Sequence, residues 1–396
     1  MTRRPISFLV VLSMLIAACS SEPETIPTTT TTSTSTTTTT TIPTTTTTVP
    51  PFEIKGASAG LIRLVESFYD YASGLAEKKP KAPEPVVASI EPKPVETPTR
   101  GSATGGVFQE QRVVVVEAGK DVFLAVNGEN GWRIVGGRWP SLGVKAYYGK
   151  GPRHVAVVGS DARPGQDVDG SRADSIHFVG LDGKGRGAVV GLPRDSYVNI
   201  PGYGRSKITG SLALGGPDTM MAAFDELTEL PFEGYLITGF AGFESLLSEV
   251  LEGVSVEVPF AINDRWAHVS LSAGEQILDG AAALGFARAR KTVPGGDLTR
   301  SEHQGVILLA AARAVKKMGI SAIPGLMEAS EPYLVTDLTA EQLLTFSAMA
   351  ISAKLDEVDN VVAPGSPGSA GGASVVFLHD SAADLWADLA DGHLED

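Results

Sequence analysis

The chain has 396 residues, of which 43% are hydrophobic, enough to close a sizeable core and too many for a protein disordered throughout. Its formal charge of −14 argues against a nucleic-acid binder, because phosphate contacts require a basic face, so clustered arginines are a local device. The single cysteine, Cys19, excludes an intrachain disulfide.

The first nineteen residues explain that cysteine. Arg3 and Arg4 form a basic start, residues 6–18 are apolar but short for a membrane span, and Ile16-Ala17-Ala18-Cys19 reads as a small-residue cleavage site. Residues 1–19 therefore read as a lipoprotein signal peptide with its lipobox, cut before Cys19 and lipidated there. An ordinary secretory signal or a short anchor is the alternative, and either one exports the chain. Two or three acyl chains would hold the protein to the membrane's outer face. Residues 20–51 are almost wholly threonine, serine and proline and read as a solvated tether. At ~3.1 Å per residue, thirty such residues span roughly 90 Å.

Leu61, Leu64, Val65, Phe68, Ala72 and Leu75 recur at helical spacing, so residues 52–79 read as one amphipathic helix. Residues 80–105 read as a proline-rich linker. A small β-rich segment follows over residues 106–150. Its strands are residues 113–116 and 122–126 about the turn Glu117-Ala118-Gly119-Lys120, joined by Trp132, Ile134, Val135 and Trp139. From residue 151 to 396 strand and helix patterns alternate: strands at 155–158, 176–181, 188–192 and 235–237, helices at 219–227, 243–251, 281–286 and 300–315. That alternation predicts an α/β domain, a central sheet covered by helices on both faces, with ligands at the carboxyl ends of its strands. The extension 316–396 adds a helix at 340–353, a mobile glycine-rich loop at 365–372, a returning strand at 375–378 and a closing helix at 382–389.

Chemistry-bearing residues gather at strand ends and turns of this domain. They run Gly159-Ser160-Asp161-Ala162-Arg163, Arg172-Ala173-Asp174, Arg194-Asp195, Lys207, Arg288-Ala289-Arg290 and Asp297-Leu298-Thr299-Arg300. Asp161 and Asp174 are too few for a protein-only magnesium cage, but suit an ion that completes its shell with water and phosphate oxygens. Each could equally be a turn residue or a cap. Guanidinium forks from Arg163, Arg172, Arg194, Arg288 and Arg290 match phosphate oxygens and would clamp a diphosphate. Arg288 and Arg290 point the same way if the backbone there is extended. Gly295-Gly296 reads as a mobile loop entering a helix capped by Asp297 or Thr299, with Arg300, His303 and Gln304 on one face. Gly183-Lys184-Gly185-Arg186-Gly187 lacks the Walker spacing and reads as a hairpin turn. His154, His177 and His268 read as structural. There is no Gly-x-Ser-x-Gly elbow, zinc-type histidine pair or cysteine nucleophile, so the expected chemistry is positional and electrostatic, as phosphoryl transfer can be.

In their order these segments resemble the LytR-CpsA-Psr family of cell-wall glycopolymer ligases, over roughly residues 154–315. The resemblance implies a three-layer α/β/α sandwich with a mainly mixed sheet, holding a polyprenyl chain in an apolar tunnel with its pyrophosphate at the mouth. It implies transfer of a glycan phosphate from the polyprenyl-pyrophosphate carrier to a peptidoglycan hydroxyl, assisted by Mg2+ or Mn2+. Asp161 and Asp174 match the family's metal-site aspartates. Arg163, Arg172, Arg194, Arg288 and Arg290 match its phosphate-contacting arginines, Arg300 and Gln304 the start of the helix after the loop, and Asp195 follows the matching arginine. Asp174, Arg194 and Arg290 are the expected catalytic residues, and Lys207 adds charge. The acceptor of the hydroxyl proton stays open between Asp174 and a water on the metal. His303 stands where many members carry arginine, which lessens that helix's charge. A noncatalytic lipoprotein binding polyprenyl phosphates or anionic wall polymers, and a carrier pyrophosphatase, are the alternatives that the same cleft would serve.

Overall fold

The computed structural model describes residues 52–163 and 165–395, so the expected signal peptide, Cys19 lipidation and tether lie outside the described residues. The valine-rich start of the described chain builds a meander. β1 (Glu53–Lys55) leads into α1 (Ala59–Ala72) and α2 (Glu84–Ser89), and then β2 (Arg100–Phe108), β3 (Gln111–Ala118), β4 (Asp121–Gly128), β5 (Gly131–Trp139) and β6 (Val144–Tyr147) follow. The six strands pair in sequence order, β1 parallel to β2 and the rest antiparallel.

The Ser58 hydroxyl accepts the Leu61 amide at 3.4 Å to start α1, which buries Leu61, Leu64, Val65, Phe68 and Ala72. The helix stops at Ser73 and Gly74, whose φ of 72° leaves the helical region. Leu75, read as part of the apolar face, is instead 80% exposed. The linker reading of residues 80–105 is also corrected. Pro85 stands in the first turn of α2, where a missing amide costs nothing, Val86 and Val87 are buried, and β2 begins at Arg100. Phe68, Phe123 and Trp139 stack and cross between α1 and the sheet, with ring centroids 5.1 to 5.8 Å apart.

The second half carries the main sheet. In chain order it contains β7 (Arg153–Ser160), β8 (Ala173–Leu181), β9 (Gly187–Gly191), the hairpin β10 (Tyr197–Ile200) and β11 (Gly204–Lys207), α3 (Ser211–Thr228), β12 (Phe232–Thr238) and α4 (Phe240–Ser245). Next come β13 (Val254–Val258), β14 (Ile262–Asp264), β15 (Val269–Leu271), β16 (Gly274–Leu278), α5 (Gly280–Arg288), α6 (Asp297–Met318) and α7 (Ile323–Ser330). The chain closes with β17 (Val335–Thr336), α8 (Ala340–Ser352), β18 (Asp359–Val362), β19 (Gly365–Ala370), β20 (Ala373–Leu378) and α9 (Ser381–Leu389).

The main sheet runs β17-β12-β7-β8-β9-β18 and is mixed: β7, β8 and β9 are antiparallel neighbours, while β12 pairs parallel to β7 and β18 parallel to β9. Strand alternation sorts the core. Ala156, Val158, Ile176 and Phe178 face α3 and α9, while Val155, Val157, Val179 and Leu181 face α6, α7 and α8. Here the three-layer α/β/α sandwich appears as expected. The first sheet extends it, because Val113, Val115, Leu124 and Val126 pack into the same cluster as Met327, Leu344 and Val155. Gly106 permits that contact: a Cβ there would lie 2.1 Å from the Pro324 carbonyl oxygen.

Two tail expectations are corrected. Residues 365–372 are not a loop, since β19 pairs antiparallel with β20, and Gly368 makes room for the Phe377 ring. The strand expected at 375–378 is present as β20, which pairs in that hairpin and touches the segment after β9 at Ser196, while the sheet edge is taken by β18, which the sequence reading missed. The Gly183–Gly187 stretch is the expected turn between β8 and β9, with Asp182 accepting the Lys184 and Arg186 amides at 2.7 and 3.0 Å.

Candidate active site

The mixed order brings the carboxyl ends of β7, β9 and β12 and the amino end of β8 to one end of the sheet. Ser160 pairs with Ala173, so Asp161 and Asp174 leave neighbouring strands there, and Arg194 follows β9. The first turn of α6 rests on the same end because Gly191 has no side chain: a Cβ would meet the Ser301 hydroxyl at 2.4 Å. His177 fixes the turn by bonding the Ser301 carbonyl at 3.0 Å, and burial pushes its imidazole down to about 4. Arg300 is thereby carried into the interior, 4% exposed.

A polar cleft of about 260 Å3 results, lined by Asp174, Arg194, Asp264, Trp266, Ala267, Arg288, Arg290, Lys291 and Arg300. Arg194 is ion-paired with Asp174. Asp297 lies 3.0 Å from Arg300 and 3.6 Å from Arg290. Burial is the largest single influence on Arg194 and weakens its proton affinity, but the charge and hydrogen bond of Asp174, with the charges of Asp297 and Asp195, together outweigh it and the net shift is upward. Arg300 goes the other way: burial lowers it, Arg194 and Arg290 add repulsion, and Asp297 opposes only in part. Buried Nε atoms of Arg194 and Arg300 and both Asp297 oxygens lack hydrogen-bond partners among the described residues. Crowded, under-satisfied guanidinium groups are what an anionic ligand would relieve.

The cleft does not end in the interior. Asp174 and Arg288 also line a narrow apolar cavity of about 80 Å3 with Val158, Phe240, Leu284 and Gln304. That cavity shares Val157, Thr238, Phe243, Ile307 and Leu308 with a second of about 260 Å3, walled by Leu247, Leu251, Ala311, Met327 and Leu343. Protein interiors normally close such voids. Together the two cavities form an apolar space lined largely by leucine, isoleucine and valine behind a cationic mouth, with the shape and polarity to accept an apolar chain carrying an anionic head.

Of the residues singled out from sequence, Asp174, Arg194, Arg288, Arg290 and Arg300 meet in the cleft and Gln304 stands at its neck, its amide donating to the Ala287 carbonyl at 3.1 Å. Arg163 and Arg172 do not line it. Both are exposed on the β7–β8 connection, where Asp161 accepts the Arg172 amide at 2.9 Å. Lys207 pairs with Asp195 at 3.0 Å, so its charge is already answered. Arg288 and Arg290 share a side for a reason other than strand alternation: Arg288 ends α5 and Arg290 follows its extended cap Ala289. Neither Asp297 nor Thr299 caps α6; Gly296 holds that position, and the Thr299 hydroxyl turns back to the Pro294 carbonyl at 2.5 Å. His303 leaves the shared face and stacks on Phe286 at 4.1 Å, where burial lowers it to about 4 and keeps it neutral. His154, read as structural, bonds the Leu389 carbonyl at 2.8 Å.

The sequence reading missed Asp264, Trp266 and Lys291. Asp264, 1% exposed, accepts the Trp266 and Ala267 amides at 2.9 and 3.1 Å and those of Arg290 and Lys291 at 3.2 Å each. Burial would raise its carboxyl, yet the four amides hold it below the ordinary value. It thus ties the β14–β15 turn to the arginine loop, a long-range link with no local signal.

No group of three histidine, cysteine or acidic side chains is poised to hold a metal among the described residues. Asp161 and Asp174 each commit one carboxylate oxygen to a protein donor. Their remaining oxygens fit a hard cation only if a ligand's oxygens and water supply the rest of the shell. No helix among the described residues is long and apolar enough to cross a membrane.

This architecture has relatives. The LytR_cpsA_psr family model matches residues 138–390. The polyisoprenyl-teichoic acid–peptidoglycan teichoic acid transferase TagT of Bacillus subtilis (strain 168) is 35% identical over 185 residues, 44% of this chain and 56% of that protein. The probable cell wall biosynthesis protein LcpB of Corynebacterium glutamicum is 34% identical over 160 residues, 37% of this chain and 38% of that protein. The chain thus spans about half the length, or less, of the curated relatives it matches. Among solved structures, Bacillus subtilis TagV aligns with a TM-score of 0.53 at 24% identity, over 62% of this chain and 98% of that one. TagT bound to LI-WTA aligns with a TM-score of 0.52 at 24% identity, over 63% and 93%. These two alignments show a shared fold. With the family model covering both the sheet and every residue of the cleft, the chain belongs to the LytR-CpsA-Psr family.

Proposed function

We propose that this chain transfers a glycopolymer phosphate from a polyprenyl-pyrophosphate carrier to a peptidoglycan hydroxyl. One observation carries the reading: a cleft rich in arginine opens, through Asp174 and Arg288, straight into an apolar passage, as a lipid-linked diphosphate requires. The Bacillus subtilis relative is named for transfer of teichoic acid to peptidoglycan, which agrees in donor and acceptor.

In this reading the lipid lies in the passage and its diphosphate among Arg194, Arg288, Arg290 and Arg300. The acceptor oxygen bonds to the glycan-side phosphorus, the bond from that phosphorus to the bridging oxygen breaks, and polyprenyl phosphate leaves with the electron pair. The hydroxyl proton passes to a cleft carboxylate. The arginines act by neutralising charge that grows on the departing phosphate, and removal of one such donor costs about 10²–10³ in rate. Mg2+ or Mn2+, when bound, would neutralise further diphosphate charge, and Asp161 and Asp174 would hold it. Lipidation at Cys19 would keep the enzyme on the outer face of the cytoplasmic membrane, within reach of carrier and wall.

The test uses the chain from Phe52 with a synthetic polyprenyl-pyrophosphoryl glycan, peptidoglycan fragments and magnesium, with products read by mass spectrometry. Glycan phosphate joined to peptidoglycan is expected, and its loss in Arg290→Ala and Asp174→Ala with circular dichroism unchanged. Release of free glycan phosphate alone would make the protein a carrier pyrophosphatase. Binding without product would make it a noncatalytic lipid-binding protein.

A further inference from the structure

The rim of the cleft holds one large side chain that neither the phosphate chemistry nor the apolar passage uses. Trp266 lines the cleft beside Asp174, Arg194 and Arg290, yet remains 46% exposed. The indole belongs to no buried core cluster, so core packing does not account for its place at the rim. Its position is nonetheless fixed. The Asp264 carboxylate receives its backbone amide at 2.9 Å, and the same carboxylate anchors the Arg290 and Lys291 amides. Two exposed cations attend the ring, the Arg265 guanidinium 4.2 Å from its centroid and the Lys291 ammonium at 4.4 Å. Both are long, solvated side chains that yield readily to a competing ligand.

We infer that Trp266 is the platform for the saccharide attached to the diphosphate, with Arg265 and Lys291 flanking the glycan as it leaves the cleft. The inference rests on the function proposed above and adds to it a subsite for the sugar. Its logic is positional. The lipid side of the diphosphate is taken by the passage beyond Asp174 and Arg288, so the other ester oxygen must leave towards the open rim where Trp266 stands. A pyranose presents a face of C–H groups that packs on an aromatic plane, while its hydroxyl edge remains wet. The turn fixes the Trp266 backbone and the two cations flank its ring, which lowers the entropic cost of holding a flexible glycan.

The experiment compares two ligands by calorimetric titration: farnesyl pyrophosphate, which has no sugar, and a farnesyl diphosphate esterified at its far phosphate with N-acetylglucosamine. Trp266→Ala is expected to weaken the sugar-bearing ligand about tenfold while leaving the sugar-free one within about twofold, a difference set by aromatic stacking alone. Trp266→Phe should restore most of the loss and Trp266→Leu should not. Thermal denaturation of each variant should match the parent, since the ring is not part of a core. Equal weakening of both ligands would overturn the inference, because Trp266 would then only wall the phosphate cleft. Rescue by leucine would also overturn it. Failure of the unaltered protein to bind either ligand would instead remove the underlying function, and the subsite with it.

Discussion

At the scale of single residues, the cleft shows how burial decides what a side chain can do. Arg300 and His303 are one helical turn apart in α6, and both are buried, 4% and 2% exposed. Arg300 stays charged beside Asp297 and faces the cleft, whereas His303 lies flat on Phe286 and is neutral. At His303, where the resemblance implies an arginine, this chain therefore places a neutral ring against Phe286 in the core under α5. His303 and His177, each lowered to about 4 by burial, also predict a pH response. An imidazole that resists protonation when folded but titrates near 6.5 when unfolded leaves stability intact above that pH. Stability is lost as pH falls from there towards 4. Between pH 7 and pH 5 each imidazole should cost roughly 2 kcal/mol. His303→Phe should remove its share of the loss, as read from urea midpoints at the two pH values; an unchanged slope would mean that His303 titrates freely.

At the scale of elements, the apolar passage is the product of four helices that never meet completely. α4, α6, α7 and α8 cover one face of the sheet with Phe243, Leu308, Met327 and Leu343, and they leave the gap between them open. Ala311, on α6, is the smallest wall at that gap. Ala311→Phe should fill the passage, weaken a long-chain polyprenyl pyrophosphate at least about tenfold and spare inorganic pyrophosphate, with thermal stability kept or raised. Equal affinity for the lipid in parent and variant would place the chain elsewhere. Three of these helices were legible, in the helical patterns at 243–251, 300–315 and 340–353, while α7 was not read from the sequence. The gap was not, because spacing says which face of a helix is apolar and nothing about whether its neighbour closes on it. The same limit explains Asp264, whose four amide partners come from two separate stretches of chain.

At the scale of the whole molecule, the first sheet shares the core of the main domain. Its strands bury one face on α1 and α2 and the other on α7 and α8, which also pack on the main sheet. Valines of β3 and β4 contribute about 1.5–3 kcal/mol each by that burial, so their removal would strip α8 of its cover. A chain begun at Arg153 should aggregate or expose apolar surface to a reporter dye, while one begun at Phe52 should unfold in a single cooperative transition. Soluble, cooperative folding of the shorter chain would show that the two sheets are independent domains.

The sequence by itself determined the alternation that makes an α/β domain, the strand ends beside which Asp174 and Arg194 stand, the Arg288-Ala289-Arg290 segment after a helical pattern, and the family those segments resemble. These are legible because periodicity, turns and short motifs are local. Only the tertiary structure decided which of the arginines meet, leaving Arg163 and Arg172 outside the cleft, pairing Lys207 with Asp195, and bringing Trp266 to the rim. It also decided that residues 80–105 fold against the first sheet and that an open passage lies beneath α6. Those outcomes depend on contacts between segments far apart in the chain, where packing and charge are settled by neighbours that no local pattern names.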